Sequence, residues 1–205
     1  MLPHHHILVD IDDGYTDIEV ACHVVSQLES IGASGIVIED QKRPRRCGHF
    51  EGKQLMELDE FIPKLKSVLA TRRDMFVIAR TDANDVDDIT RRVKGFAEAG
   101  ADAILVDAIR DIDLIKTIKS QIDKPLVFNQ IAGGKSPACH LRELQNAGVS
   151  LVIYSTPALF AAQAAIENAM KSLKENDGLL PTEKGKVDVQ AYTAILNDNL
   201  ARRDK

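Results

Sequence analysis

The sequence predicts an α/β protein of the (β/α)8 TIM-barrel type, and three observations carry that expectation. Six short β-branched runs recur, each almost wholly apolar before it turns polar: HILVDID (6–12), GIVIED (35–40), MFVIART (75–81), AILVDA (103–108), PLVFNQ (125–130) and LVIYST (151–156). A strand apolar at successive positions is buried on both faces, as in a parallel sheet. Helical stripes separate the runs, and strict strand–helix alternation places the helices outside the sheet. Polar residues gather at the C-terminal ends of the runs, where such a barrel builds its site. No G-x-G-x-x-G follows the first run, which disfavours a doubly wound dinucleotide-binding sheet. Six βα units are visible where a closed barrel needs eight, so the expected barrel is N-terminally incomplete.

The first run leads into a helix over 17–31, with Ile18, Ala21, Val24, Val25, Leu28 and Ile31 at helical spacing behind the capping box Thr16-Asp17-Ile18-Glu19. The second run opens into EDQKRPRRCGHFEGK (39–53), too polar for a core segment. A stripe over 59–70 precedes the third run. The helix expected over 86–99 carries Val86, Ile89, Val93, Phe96 and Ala97 on one face and is closed by Gly100. Similar stripes fill 111–122 and 137–147. The helix over 157–173 is apolar or small almost all round and is expected to bury more than one face, as an outer helix of the barrel or as a subunit contact. The barrel domain is placed over 1–180. The remainder, 181–205, is read as a linker (PTEKGKVDVQ, 181–190) and a short helix near 191–202.

With 44% hydrophobic residues, 4% aromatics and no Trp, the core of this 205-residue chain rests on Val, Ile, Leu and Ala. A net charge of -5 argues against nucleic acid or an anionic membrane as partner. No run approaches the ~18 apolar residues of a membrane-spanning helix. MLPHHHILVD does not read as a secretory leader, and three cysteines without a spacing pattern suit a reducing cytoplasm.

The strand ends carry the candidate chemistry. The first offers Asp10, Asp12 and Asp13, the second Glu39 and Asp40, the third Arg80 and Asp82, the fourth Asp107, the fifth Asn129, and the sixth Tyr154, Ser155 and Thr156. Carboxylates converging on one mouth repel unless a cation sits among them, and Mg²⁺ suits such hard oxygen donors. Arg80 has the fork to clamp a substrate carboxylate. The stretch after the second run is expected to be a mobile lid over a small anionic substrate. Its Cys47, beside Arg45, Arg46 and His49, has neighbours that favour the thiolate and suit proton transfer near neutral pH. Taken singly, each aspartate would more often be a turn former or a helix cap; the joint pattern points to a site.

VDIDDGY (9–15), IEDQ (38–41), RRCGHFEGKQL (45–55) and IARTDA (78–83), in this order, resemble the isocitrate lyase and phosphoenolpyruvate mutase superfamily over residues 7–170. The closest likeness is to its short-chain lyase branch, that of methylisocitrate and 2,3-dimethylmalate lyases. The resemblance implies that Asp10, Asp12 and Glu39 hold Mg²⁺ (or Mn²⁺). It implies Cys47 as the acid/base of a lid of Arg45, Arg46, Cys47, Gly48 and His49, with His49 and Arg80 beside it in the chemistry. Asp107 and Asn129 would touch substrate, and Gly133 and Gly134 would form a backbone turn at the mouth. The chain departs from the family at Thr16, where Gly is usual, at Asp107, where Glu is usual, and at Ile131-Ala132, where Thr-Glu is usual. The family's first two βα units have no counterpart in it.

The implied activity is Mg²⁺-dependent carbon–carbon cleavage of a 2-hydroxy di- or tricarboxylate to an α-keto acid and a carboxylate. Oxaloacetate decarboxylation and phosphonopyruvate or carboxyphosphonoenolpyruvate mutation share such a site. A weakly active or non-catalytic barrel fragment is the alternative of a different class. A small anionic carboxylate is the expected partner, with a homo-oligomer formed through 157–173.

Overall fold

The computed structural model describes residues 5–179 and 188–203. Six strands, β1 (Leu8–Asp10), β2 (Gly35–Glu39), β3 (Phe76–Thr81), β4 (Ala103–Val106), β5 (Leu126–Asn129) and β6 (Val149–Ile153), lie side by side in chain order, every neighbouring pair parallel. The helices between them are α1 (Ile18–Ser30), α2 (Leu58–Thr71), α3 (Val86–Ala99), α4 (Ile112–Lys119) and α5 (Leu141–Asn146). The sheet curls into the six-stranded part of a (β/α)8 barrel, with β1 and β6 at its two edges.

Alternation along each strand sorts the side chains between two cores. Val37, Ile78, Ala103, Leu105 and Val127 cluster on the concave face, with Ile153 packed against them. Ile36, Ile38, Val77, Ala79, Ile104 and Phe128 point the other way, into the larger core beneath the helices. Because both faces are covered, β2 is buried at all five of its positions, which is why it reads as an unbroken apolar run. Phe61 of α2 and Phe96 of α3 meet at 5.1 Å between ring centres and carry much of the aromatic packing.

Several element boundaries depart from expectation, as at α4, which ends at Lys119 rather than 122, and three of the departures have a visible local cause. β6 begins at Val149, two residues before the apolar run suggested, because Gly148 takes φ 98° and turns the chain directly from α5 into the sheet. α5 starts only at Leu141, where His140 and Glu143 form the capping box, so residues 137–140 are not helical. At α1 the N-cap is Asp17, whose carboxylate accepts from the Glu19 amide at 2.7 Å; Thr16 plays no part in the cap.

The chain divides into two compact units, Met1–Pro157 and Ala158–Lys205. The second holds most of α6 (Pro157–Glu175) and all of α7 (Val189–Arg203). The expectation that 157–173 is buried on more than one face is not met: no residue of α6 is buried. Its large apolar residues are widely spaced among Ala, and the one stripe they form, Leu159, Ile166 and Met170, is too narrow to bury several faces. The linker expected over 181–190 lies mostly outside the described residues. No described helix is long and apolar enough to cross a membrane.

Candidate active site

The C-terminal ends of the strands meet at one mouth, and its floor is set by the turn after β1. Asp12, Gly14 and Tyr15 all take positive φ, at 60°, 68° and 63°. This strained turn is pinned from within: the Asp12 amide donates to Asp10 Oδ1 at 2.8 Å and the Tyr15 amide to Asp13 Oδ1 at 3.1 Å. From below, the buried Lys64 of α2 donates to the Asp13 carbonyl at 2.9 Å and to that of Tyr15. Gly14 is required twice over, by its φ and because a Cβ there would come within 2.6 Å of Ile38 Cδ1.

Arg80, at the end of β3, is the hub. Its guanidinium lies 2.8 Å from Asp107, 3.1 Å from Asp82, 3.2 Å from Glu39 and 4.0 Å from Asp10. Burial alone would lower the pKa of this side chain, but Asp107, Asp82 and Glu39 outweigh it and hold the pKa above its ordinary value. The opposite balance holds at Glu39: burial pushes its carboxyl above the usual range further than Arg80 and Arg45 pull it back. Asn129 donates to Asp107 Oδ1 at 3.0 Å and accepts from the Ser155 hydroxyl at 2.7 Å, which fixes its amide.

Residues 41–55 form the lid, closed at its base by an antiparallel bridge between Gln41 and Leu55. Gln41, fully buried, shapes the backbone within: its Oε1 accepts from the Arg46 amide at 3.0 Å and its Nε2 donates to the Arg46 carbonyl at 2.8 Å. The lid then sends cations down to the acids. Arg43 forks onto Asp13 at 2.7 and 2.8 Å. Arg45 bridges Asp12 at 2.6 Å and Glu39 at 2.8 Å. Gly48 lies so close to Asp107 and Asp82 that any Cβ would overlap both carboxylates. His49 Nδ1 accepts from the Lys135 amide at 2.8 Å, which assigns the proton of the neutral ring to Nε2. That Nε2 lies buried, without a hydrogen-bond partner, 3.8 Å from Asp107 Oδ1. Gly134 makes room for the ring, since its Cβ would stand 2.6 Å from His49 Nδ1; Gly133 takes φ 72° with open space beside it.

Asp10, Asp12, Glu39, Arg80, Asp107, Asn129 and the lid residues Arg45, Gly48 and His49 therefore converge. Cys47 is exposed on the outer part of the lid. The three neighbours expected to act on its thiol are engaged elsewhere: Arg45 pairs with Asp12 and Glu39, Arg46 donates to the Glu51 carbonyl at 3.2 Å, and His49 faces Lys135 and Asp107. Sequence reasoning gave no role to Gln41, Lys53, Lys64, Lys135 or Arg43. Only the position of Gln41 at the end of a buried run hinted at a polar side chain with work inside the fold.

As donors, Asp10, Asp12 and Glu39 fit a hard divalent ion, being carboxylates at neighbouring strand ends. Among the described residues no three acids or imidazoles are arranged to hold a metal ion as they stand, and the Arg45 guanidinium bridges Asp12 and Glu39. A divalent ion held by Asp12 and Glu39 would have to take the place of the Arg45 guanidinium.

The phosphoenolpyruvate phosphomutase family profile matches residues 3–174. A 2-methylisocitrate lyase of Halalkalibacterium halodurans is 30% identical over 206 residues, covering 97% of this chain and 68% of its own length. A solved 2,3-dimethylmalate lyase superposes with a TM-score of 0.89 at 25% identity, over 98% of this chain and 69% of that one. A phosphonopyruvate hydrolase, solved in complex with oxalate and Mg²⁺, superposes with a TM-score of 0.80 at 27% identity, over 97% of this chain and 71% of that one. Across curated relatives the chain spans from 54% to 68% of their length.

Proposed function

Since this chain belongs to the phosphoenolpyruvate phosphomutase family, we propose that it acts as a divalent-metal-dependent carbon–carbon lyase on a 2-hydroxy di- or tricarboxylate. The observation that carries the reading is a mouth rich in carboxylates and centred on Arg80, under a lid that contains a thiol. A bound Mg²⁺ would polarise a substrate carboxylate and the neighbouring hydroxyl, with Asp12 and Glu39 holding it. Arg80 binds the substrate carboxylate by exchanging one of its present acid partners. A mouth carboxylate takes the hydroxyl proton, the oxygen's electron pair closes to a carbonyl, and the adjacent carbon–carbon bond breaks. The products are an α-keto acid and a carbanion spread over a carboxylate, which Arg80 stabilises. Cys47, exposed as the lid stands, turns inward beside the held Gly48 when substrate fills the mouth and gives its proton to that carbon. His49 offers its Nε2–H to an oxygen of the reacting group.

Release of pyruvate or glyoxylate from methylisocitrate and 2-alkylmalates, with and without Mg²⁺, tests the reading. Cys47→Ser should cut kcat by on the order of 100- to 10,000-fold, the range of a positioned proton donor. Undiminished turnover in that variant would remove Cys47 from the chemistry. A second reading, that the chain is an incomplete and weakly active barrel, is favoured by the edges of β1 and β6, which no other described strand pairs. Turnover below that of a complete relative by a hundredfold or more in the same assay would support it. The exposed face of α6 is proposed as a subunit contact, and the cytoplasm as the compartment.

A further inference from the structure

We propose that Lys53 is the positioning residue of the lid, a buried pin that ties the lid tip to the carboxylate orienting Arg80. Its ammonium donates to the Gly48 carbonyl and lies 3.4 Å from Asp82 Oδ1. The Lys53 side chain is only 9% exposed and that of Asp82 is wholly buried. Asp82 also accepts from Arg80 Nε and from the second guanidinium nitrogen, both at 3.1 Å, and from Gln41 Nε2 at 3.1 Å. One carboxylate thus holds the lid, through Lys53, and the hub of the mouth, through Arg80. Gly48 is the neighbour of Cys47 in the chain, so a fixed Gly48 carbonyl limits where the thiol can travel.

Lys53 differs from the other cations of the lid in its surroundings. The side chains of Arg43 and Arg45 are 51% and 28% exposed, and Glu51, which pairs with Lys135 and Arg110 across the mouth, is 74% exposed. Exposed pairs of this kind contribute little to holding a loop. An ammonium and a carboxylate withdrawn from water are costly to separate in place, because each would leave the other unpaired. The lid therefore stays down with the Lys53–Asp82 pair formed, or rises with Lys53 returned to water. Gly48 completes the device, because any side chain there would separate the lid tip from Asp82 and Asp107.

The kinetic half of this proposal rests on the lyase reading; the lid half does not. Amide hydrogen exchange of peptides spanning 42–54 reports the lid directly, through the Arg46 and Phe50 amides that are bonded within it at 3.0 and 2.9 Å. Lys53→Met should speed exchange there by at least about tenfold, since local opening sets that rate, and leave peptides of α3 unchanged. Lys53→Arg should restore part of the protection. With a live lyase assay, kcat of Lys53→Met should fall on the order of 100-fold with KM nearly constant, because the placement of the proton donor is what is lost. Unchanged lid exchange, or exchange as fast in Lys53→Arg as in Lys53→Met, overturns the proposal. So does α3 exchange that accelerates with the lid, which would make Lys53 a support of the whole fold. Lys53→Gln serves the same comparison if Lys53→Met does not fold. Absence of turnover in the parent chain would sink the lyase reading alone, while the exchange data still decide the role of Lys53.

Discussion

Asp40 shows how one residue of a site motif serves the scaffold. It follows Glu39 directly, yet its side chain points away from the mouth, fully buried, 2.9 Å from Arg92 of α3. Arg92 also reaches the Met56 carbonyl and Asp88, so the pair ties α3 to the end of β2 and to the base of the lid. Burial pushes the Asp40 carboxyl up to about 6 from 3.8, more than Arg92 offsets. An acid whose folded pKa lies above its unfolded value stabilises the fold below the unfolded pKa, and that contribution is lost as pH rises through the folded one. Asp40→Asn has no such proton to lose. The stability difference between the two proteins should shift toward the variant by on the order of 3 kcal/mol as pH rises from 4 to 7, at about 1.4 kcal/mol per pKa unit. Urea unfolding at several pH values reads this, and a difference independent of pH would show that Asp40 titrates normally.

At the scale of elements, the lid is the part that gives the mouth its charge balance. It delivers Arg43 to Asp13, Arg45 to Asp12 and Glu39, and Lys53 to Asp82, so that acids of three strand ends are neutralised by one loop. If Asp12 and Glu39 hold the divalent ion, as proposed, Arg45 competes with it for the same two carboxylates. Arg45→Gln should therefore bind Mg²⁺ or Mn²⁺ about tenfold more tightly than the parent, the equivalent of about 1.4 kcal/mol. Titration calorimetry at pH 8 measures it. Affinity unchanged or weakened in Arg45→Gln would place the metal elsewhere or make Arg45 its ally. The strands and helices that bear this loop are held by apolar contact on both faces of the sheet, which allows the lid to be built almost wholly of polar residues without loss of the core.

For the whole molecule, the question is how a curled sheet with two edges persists. Among the described residues, β1 and β6 each leave one side of their backbone unpaired within the sheet, and Leu8 and Leu151 on those strands are 40% and 43% exposed. In the second unit, Leu159, Ile166 and Met170 fall on one stripe of α6 and are 64%, 62% and 57% exposed. Open edges and an uncovered apolar stripe both favour association. The 205-residue chain should scatter light with a mass at least twice that of one copy, and Ile166→Asp should lower that mass if α6 makes the contact. A monodisperse monomer would show that neither surface is used in this chain.

The sequence by itself determined the order of strands and helices, the parallel sheet and the place of the mouth. These follow from local signals: burial on both faces writes a continuous apolar run, a helix face writes its 3.6-residue stripe, and each strand's polar end marks the rim. It also placed Arg80, Asp107, Asn129, Glu39 and the lid together, because βα alternation and the resemblance put them at successive strand ends. Tertiary structure alone decided which charges meet. Gln41 and Lys53 reach Asp82, 41 and 29 residues away, and Arg92 reaches Asp40, 52 residues away. Such pairings depend on distance through space, which no local pattern encodes, and so Lys53 read as one more cation of a polar stretch. The same reason hid the position of Arg45. Sequence places a loop rich in cations beside a cluster of acids, but whether a guanidinium or a metal ion stands between two particular carboxylates is set by how the loop folds back over the strand ends.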